Sequence, residues 1–529
     1  MKMDARIIGR TAGAIAVGVL AMSFTAAAQV RTESGTVEGT TSADGKVQIF
    51  KGIPYAAPPI GPLRWKEPQP VAPWDGVRKA TAFGARCMQG NVFGDMVFRD
   101  SGPSEDCLYL NVWTPQASAD AKLPVMVWIY GGGFQAGATS EGRQDGEALA
   151  HKGVVVVSMN YRLGIFGFFS HPELTQESPH HASGNYGLLD QAAALAWVHK
   201  NIAAFGGDPG NVTIFGESAG SFSVCAQMAS PLSKDLIAKA IGESGAFFSH
   251  TLTAKPLAES EKAGAEFAQE NNATLGQLRA LPAQQLLDAA MKNHNAFRFG
   301  PNTDGYFFPE SPAEIYANGR QAHIPLLAGW NHDEGNYHMI FAADPATKEN
   351  YAKKISETYK DKSAAILKAF PGDTDEQAKF FAGRLATANF IGYSTWKWLE
   401  MQTKLGDVPV YRYEFDQAPP IPPSGPAADD PPRAYHSAEI EYVFEALDSK
   451  HVDGKAIAWR PGDRKLSEQM SSYWTNFAKT GSPNGHGLPK WPQYNAKDGY
   501  QTMHFSAKSR AAKDEQRTQY DALDQLSQP

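Results

Sequence analysis

At 529 residues, with 42% hydrophobic, 20% charged and 11% aromatic side chains, the chain has an ordinary globular composition, which excludes a largely disordered or fibrous protein. The formal net charge of −7 is small for this length, and no block of Lys and Arg offers the footprint that a polyanion needs, so nucleic-acid binding is excluded as a function class. Length alone divides such a chain into about three domains.

Taken in chain order, the first feature is a basic start, Lys2, Arg6 and Arg10, followed by a small-residue apolar run over 11–25 and then Ala26-Ala27-Ala28. This is the pattern of a secretory signal peptide, with cleavage expected after Ala28. The run is rich in Ala and Gly and falls short of the roughly 20 strongly apolar residues that a membrane anchor requires. No later stretch approaches spanning length, so the mature chain from residue 29 is expected to be soluble and exported, periplasmic or secreted. There are three cysteines. Cys87 and Cys107 are near neighbours and free to oxidise in an exported protein, so a disulfide between them is expected. Cys225 is left over and reads as a buried structural thiol. No Cys or His spacing suits a metal.

Short β-rich apolar runs at 123–130, 154–159, 212–215, 324–328 and 408–415 alternate with helical patterns, which predicts an α/β fold with a mainly parallel sheet. Between the second and third runs, Leu188, Leu189, Ala192, Leu195 and Val198 recur at helical spacing. Gly206-Gly207 ends that helix and Asp208-Pro209 turns the chain into the next strand. From 255 to 402 the pattern is mostly helical, broken by the strand at 324, and predicts a cap. The segment 418–432 is too rich in Pro for a regular element and reads as a surface loop.

Gly216-Glu217-Ser218-Ala219-Gly220 follows one of these strands and precedes a helical stretch. A nucleophile carried on such a sharp strand-to-helix turn needs small residues two before and two after it, and Gly216 and Gly220 meet that demand. Tyr130-Gly131-Gly132-Gly133-Phe134 follows another strand and matches an oxyanion loop, with Gly132, Gly133 and Ala219 as the backbone N–H donors. It lacks the lysine and spacing of a phosphate loop. An acid and then a histidine should follow the nucleophile in the chain. In Asn331-His332-Asp333-Glu334-Gly335 the spacing leaves Asp333 and Glu334 equivalent. Of His338, His436, His451 and His486, only His436 stands in a loop after a well-formed strand and before an apolar stretch, 440–444.

These residues, with Phe50-Lys51-Gly52-Ile53-Pro54-Tyr55-Ala56, Pro62-Leu63-Arg64-Trp65, Ser104-Glu105-Asp106-Cys107-Leu108-Tyr109-Leu110-Asn111 and Gly184-Asn185-Tyr186-Gly187-Leu188-Leu189-Asp190, resemble the type-B carboxylesterases, the α/β-hydrolases that include para-nitrobenzyl esterases and cholinesterases. The resemblance spans nearly the whole mature chain. It implies one α/β-hydrolase domain over 29–529, overriding the length prior, with helical cap insertions on a mostly parallel sheet. It selects Glu334 as the acid and His436 as the base of a triad with Ser218, matches the family's early disulfide to Cys87–Cys107, and matches its oxyanion glycines to Gly132 and Gly133. The implied activity is carboxylic-ester hydrolysis through an acyl-enzyme, with no cofactor. The same machinery also serves amide or carbamate hydrolysis, and the scaffold serves adhesion in members that have lost the serine, which is intact here. Phe93, Met96 and Phe98, between the two cysteines, are expected to wall the gorge, without an aromatic arrangement diagnostic of choline.

Overall fold

The computed structural model describes residues 28–115, 119–248, 252–292, 296–421, 430–452 and 455–527. The signal-peptide segment up to residue 27 and most of the Pro-rich stretch lie outside them. Among the described residues, eleven strands form one sheet. In chain order they are β1 (Thr40–Thr41), β2 (Val47–Pro54), β3 (Tyr109–Pro115), β4 (Leu123–Ile129), β5 (Val155–Met159), β6 (Gly207–Glu217), β7 (Lys239–Glu243), β8 (Leu326–Asn331), β9 (Val410–Phe415), β10 (Gln501–Phe505) and β11 (Arg510–Lys513). Across the sheet the order is β1-β2-β3-β5-β4-β6-β7-β8-β9-β10-β11. From β5 through β10 every neighbouring pair is parallel, while both margins are antiparallel.

The central parallel strands are buried on both faces, as in a sheet covered by helices. All five residues of β5 and all six of β9 are buried. The helix expected from Leu188 to Val198 spans Tyr186–Asn201 (α1) and is prolonged by a tighter turn that ends at Gly206, φ 83°. Two strand expectations shift at both ends. The run at 212–215 belongs to a longer strand that starts at Gly207, with a register irregularity before Val212 that absorbs Asp208-Pro209. The run at 324–328 becomes Leu326–Asn331, because Pro325 has no N–H to give a ladder and accepts at its carbonyl from Ala240 instead. Helix α2 (Ala219–Ala229) follows β6 directly. The expected helical region supplies α3 (Leu257–Glu270), α4 (Asp375–Thr387) and α5 (Tyr393–Thr403), with further helices between α3 and α4. The C-terminal part adds α6 (Ile440–Val443) and α7 (Pro461–Thr480). Among the described residues, no helix is long and apolar enough to cross a membrane.

The Cys87–Cys107 disulfide is formed, with its Cα atoms 4.9 Å apart, and Cys225 is a buried free thiol on α2. Replacing Cys87 and Cys107 together by Ser is expected to lower stability by about 3 kcal/mol through the freed loop entropy, read as a shift in the midpoint of urea unfolding at unchanged slope.

Candidate active site

The strand β6 ends at Glu217, and Ser218 turns the chain into α2 with φ 54° and ψ −123°, a strained conformation for a residue with a side chain. Its N–H is held by the carbonyl of Glu243 at 2.8 Å and its carbonyl by the N–H of Phe222 at 2.9 Å. The flanking glycines are sterically required: a Cβ on Gly216 would lie 2.5 Å from the Ile129 carbonyl oxygen and one on Gly220 only 2.0 Å from it. The close approach of β4 to this turn is thus possible only without side chains at those two positions.

The other two residues arrive from the next strands of the sheet. Glu334 follows β8 and His436 follows the loop after β9. His436 Nε2 stands 2.9 Å from Ser218 Oγ, and Nδ1 stands 2.6 Å from Glu334 Oε2. An ionised carboxylate has no proton to donate, so Nδ1–H donates to Glu334 and Nε2 is left to accept from the serine hydroxyl. The second Glu334 oxygen accepts from the Asn331 N–H at 2.6 Å and from the Ser244 hydroxyl at 2.5 Å. Asp333, equivalent by spacing, is turned away: it pairs with His332 at 2.7 Å and accepts from the Ala434 N–H. Of the other histidines, His338 faces Asp430 at 3.3 Å, and His451 and His486 are exposed.

Gly131, Gly132 and Gly133 line the same cavity as Ser218 and His436. A Cβ on Gly131 would lie 3.0 Å from Ser218 Cβ, and Gly132 and Gly133 take φ of 106° and 62°. The Gly132 carbonyl accepts from the Gln135 and Ala136 N–H groups. Among the described residues, no acceptor takes the N–H of Gly132, Gly133 or Ala219. The cavity has a volume of about 510 Å³ and aromatic walls, including Phe134, Phe168, Phe222 and Phe297. Phe93 and Met96 line it as expected, but Phe98 does not: its ring packs under the Arg86 guanidinium at 4.7 Å and its backbone bridges to Glu141.

Several groups at the site escaped the sequence reading. Glu217, next to Ser218, points Oε1 to within 3.3 Å of His436 Nε2, and that oxygen is buried without a hydrogen-bond partner among the described residues. Burial pushes its carboxyl up to about 7, only partly countered by His436 and Arg143. Glu243 and Glu439 are buried beside it. Burial raises Glu243 to about 8 despite a hydrogen bond from Trp474, and burial with the neighbouring carboxylates holds Glu439 well above the usual range. Burial disfavours the His436 imidazolium, but Glu217 and Glu334 outweigh it and lift the imidazole to about 9. Ser244 alone carried a legible sign, a hydroxyl just past a strand's C-terminal end, where such sheets gather functional groups.

Glu414, Asp416 and His504 are the group among the described residues whose ligand atoms approach closely enough to share a metal ion. Arg384 at 3.0 Å and Gln516 at 2.7 Å already hold Glu414, and His504 holds Asp416 Oδ2 at 2.9 Å, while Asp416 Oδ1 has no hydrogen-bond partner among the described residues. A cation there would have to displace a guanidinium.

Residues 26–523 match the model of the carboxylesterase family. The chain belongs to that family. It is 37% identical over 504 residues to the fumonisin B1 esterase of Sphingopyxis macrogoltabida, covering 91% of this chain and 87% of that one. To the para-nitrobenzyl esterase of Bacillus subtilis it is 38% identical over 477 residues, covering 88% and 92%. Its fold superposes on a carboxylesterase of Geobacillus stearothermophilus with a TM-score of 0.78 at 33% identity, covering 93% of this chain and 99% of that one. A solved para-nitrobenzyl esterase gives the same TM-score at 35% identity, covering 94% and 99%. The protein is accordingly an α/β-hydrolase that hydrolyses carboxylic esters.

A base must be neutral to accept a proton, so kcat/KM should rise with pH as the imidazolium deprotonates. Glu217 stabilises that imidazolium, and removing its charge lowers the imidazole pKa. In Glu217→Gln the acid limb of the kcat/KM profile should therefore move to lower pH, as followed by pH-stat hydrolysis of a simple ester; an unmoved limb would mean that Glu217 is not charged where it faces His436.

Proposed function

We propose that this enzyme cleaves esters through an acyl-enzyme on Ser218, with His436 as general base and acid and Glu334 as its orienting carboxylate. The observation that carries the reading is the unbroken line from Ser218 Oγ through the His436 ring to Glu334, at 2.9 and 2.6 Å, on the wall of the aromatic cavity. Ser218 Oγ attacks the ester carbonyl while its proton passes to Nε2, and Glu334 stabilises the imidazolium through Nδ1–H. The carbonyl oxygen, now an oxyanion, is met by the N–H groups of Gly132, Gly133 and Ala219. The proton on Nε2 goes to the leaving alkoxide, releasing alcohol. Water then repeats the attack on the acyl-serine, giving its proton to Nε2 and releasing the carboxylic acid with Ser218 restored. Every proton is carried by the chain's own groups, so the scheme needs no cofactor.

The basic, apolar, Ala-Ala-Ala start and the Cys87–Cys107 pair support export to an oxidising compartment as a single-domain enzyme from residue 29. The volume and apolar lining of the cavity suit esters with a hydrophobic body in either the acyl or the alcohol part.

The test is hydrolysis of p-nitrophenyl esters from acetyl to decanoyl by the mature protein and its variants. Ser218→Ala and His436→Ala should each lose roughly 10⁴- to 10⁶-fold in kcat, and the double variant should be no slower than either, since the pair acts as one unit. Parental turnover in Ser218→Ala would sink the reading.

A further inference from the structure

Residues 375–403 run as one helix, but the run is not regular. Between α4 and α5 lies a π turn, Ala388–Gly392, and the residues at both junctions, Thr387, Ala388, Gly392 and Tyr393, all keep right-handed helical angles. A π turn is an α-helix with one residue too many, and such insertions persist mainly where they serve a site. Here the turn touches His436, and the residue just before it, Thr387, holds the residue that follows Glu334. At its start Thr387 Oγ1 accepts from the Gly335 N–H at 3.0 Å and donates to the Gly335 carbonyl at 3.3 Å. Gly335 follows Glu334 directly, and its backbone is pressed so closely on this helix that a Cβ would lie 2.3 Å from the Ala386 carbonyl carbon. At its centre the Phe390 ring stands 5.0 Å from the His436 ring, at 70° to it.

Two hydrogen bonds at opposite ends of an imidazole fix its ends and leave it free to rock about the line between them. His436 has a reason not to be left so. Its Nε2 has two oxygens within reach, Ser218 Oγ at 2.9 Å and Glu217 Oε1 at 3.3 Å. A ring that rocks toward Glu217 would rest in an ion pair that does no chemistry. An aromatic ring packed at a steep angle against the imidazole blocks rocking without competing for its protons. Without the extra residue, regular α-helical continuation would carry Phe390 about 100° around the helix axis and off His436.

We propose that Phe390 is a positioning residue and that the π turn serves to seat its ring on the His436 imidazole, holding Nε2 on Ser218 and away from Glu217, while Thr387 in the same helix anchors the acid loop. The proposal rests on the roles given to Ser218, His436 and Glu334 above. Ile391, the next residue, lines the cavity with Phe390, so the position also faces substrate, and the test must separate the two effects.

p-Nitrophenyl acetate is too small to need that wall. With it, Phe390→Ala and Phe390→Leu should lose about tenfold or more in kcat, in keeping with the cost of a small misplacement in a catalytic group, while KM stays within about twofold, as for a step lost only in the transition state. Phe390→Tyr, which keeps the ring, should retain the parental rate. In the Leu variant the acid limb of kcat/KM should move to higher pH, since a loosened imidazolium pairs more fully with Glu217, and adding Glu217→Gln should restore part of the rate. Leu preserves apolar volume, so a rate loss and melting-temperature drop confined to Ala would mark a packing role and overturn the proposal. Parental acetate turnover in both variants, with only long-chain esters affected, would overturn it as well. Failure of the underlying triad reading shows elsewhere, as parental turnover in Ser218→Ala.

Discussion

The backbone of Ser218 is the constraint around which the site is organised. Holding a residue with a side chain at φ 54° and ψ −123° costs of order 1–3 kcal/mol, and the surroundings leave it no alternative. β7 grips its N–H through Glu243, α2 grips its carbonyl, and β4 presses on both flanking glycines. Beneath the turn, Trp128, Phe215 and Phe444 pack ring against ring at 4.8 to 5.6 Å. The strain lifts the hydroxyl out of the strand direction and presents it at the C-terminal margin of the sheet, where Glu334 and His436 descend from β8 and β9.

The second organising element is charge. Glu217, Glu243, Glu334 and Glu439 are all buried near one histidine, with Arg143 as a buried cation on the same cavity wall. Burial disfavours carboxylate charge, and each ionised neighbour disfavours the next, so the cluster cannot be fully ionised. The carboxylate given the orienting role in the proposed mechanism is the one that receives donors: Glu334 takes hydrogen bonds from His436, Asn331 and Ser244. Glu217, by contrast, keeps an oxygen with no donor. The arrangement separates neighbouring acids by how many N–H and O–H groups the fold aims at each.

Much of this was legible in the sequence because it is local. The glycines at 216 and 220 announce the turn at Ser218, and the strand–helix alternation announces a parallel sheet. What is not local was not legible. Asp333 and Glu334 carry the same charge at adjacent positions, and only the loop's path decides that one meets His332 and the other His436; the family resemblance, not spacing, made that choice. Phe390 and Arg143 reach the site from distant segments whose sequences carry no sign of it. Phe98 lies close in sequence to the cavity residues Phe93 and Met96, but its ring packs against the Arg86 guanidinium, a contact with no local sign. The strand before the acid loop begins two residues later than the apolar run at 324, because Pro325 has no N–H to give the ladder.

The spacing of the three central residues along the chain bears on how the protein comes to life. His436 lies 218 residues after Ser218 and 102 after Glu334, and these contacts exist only once β8 and β9 have docked beside β7 in the right order. Such long-range pairings form late, because the entropy of closing long loops must be met before they reward the chain. A chain in which β8 and β9 have not docked lacks the contacts that join Ser218, His436 and Glu334. On the proposed mechanism, catalysis requires this long-range assembly, so ester turnover would report on the integrity of the sheet as a whole.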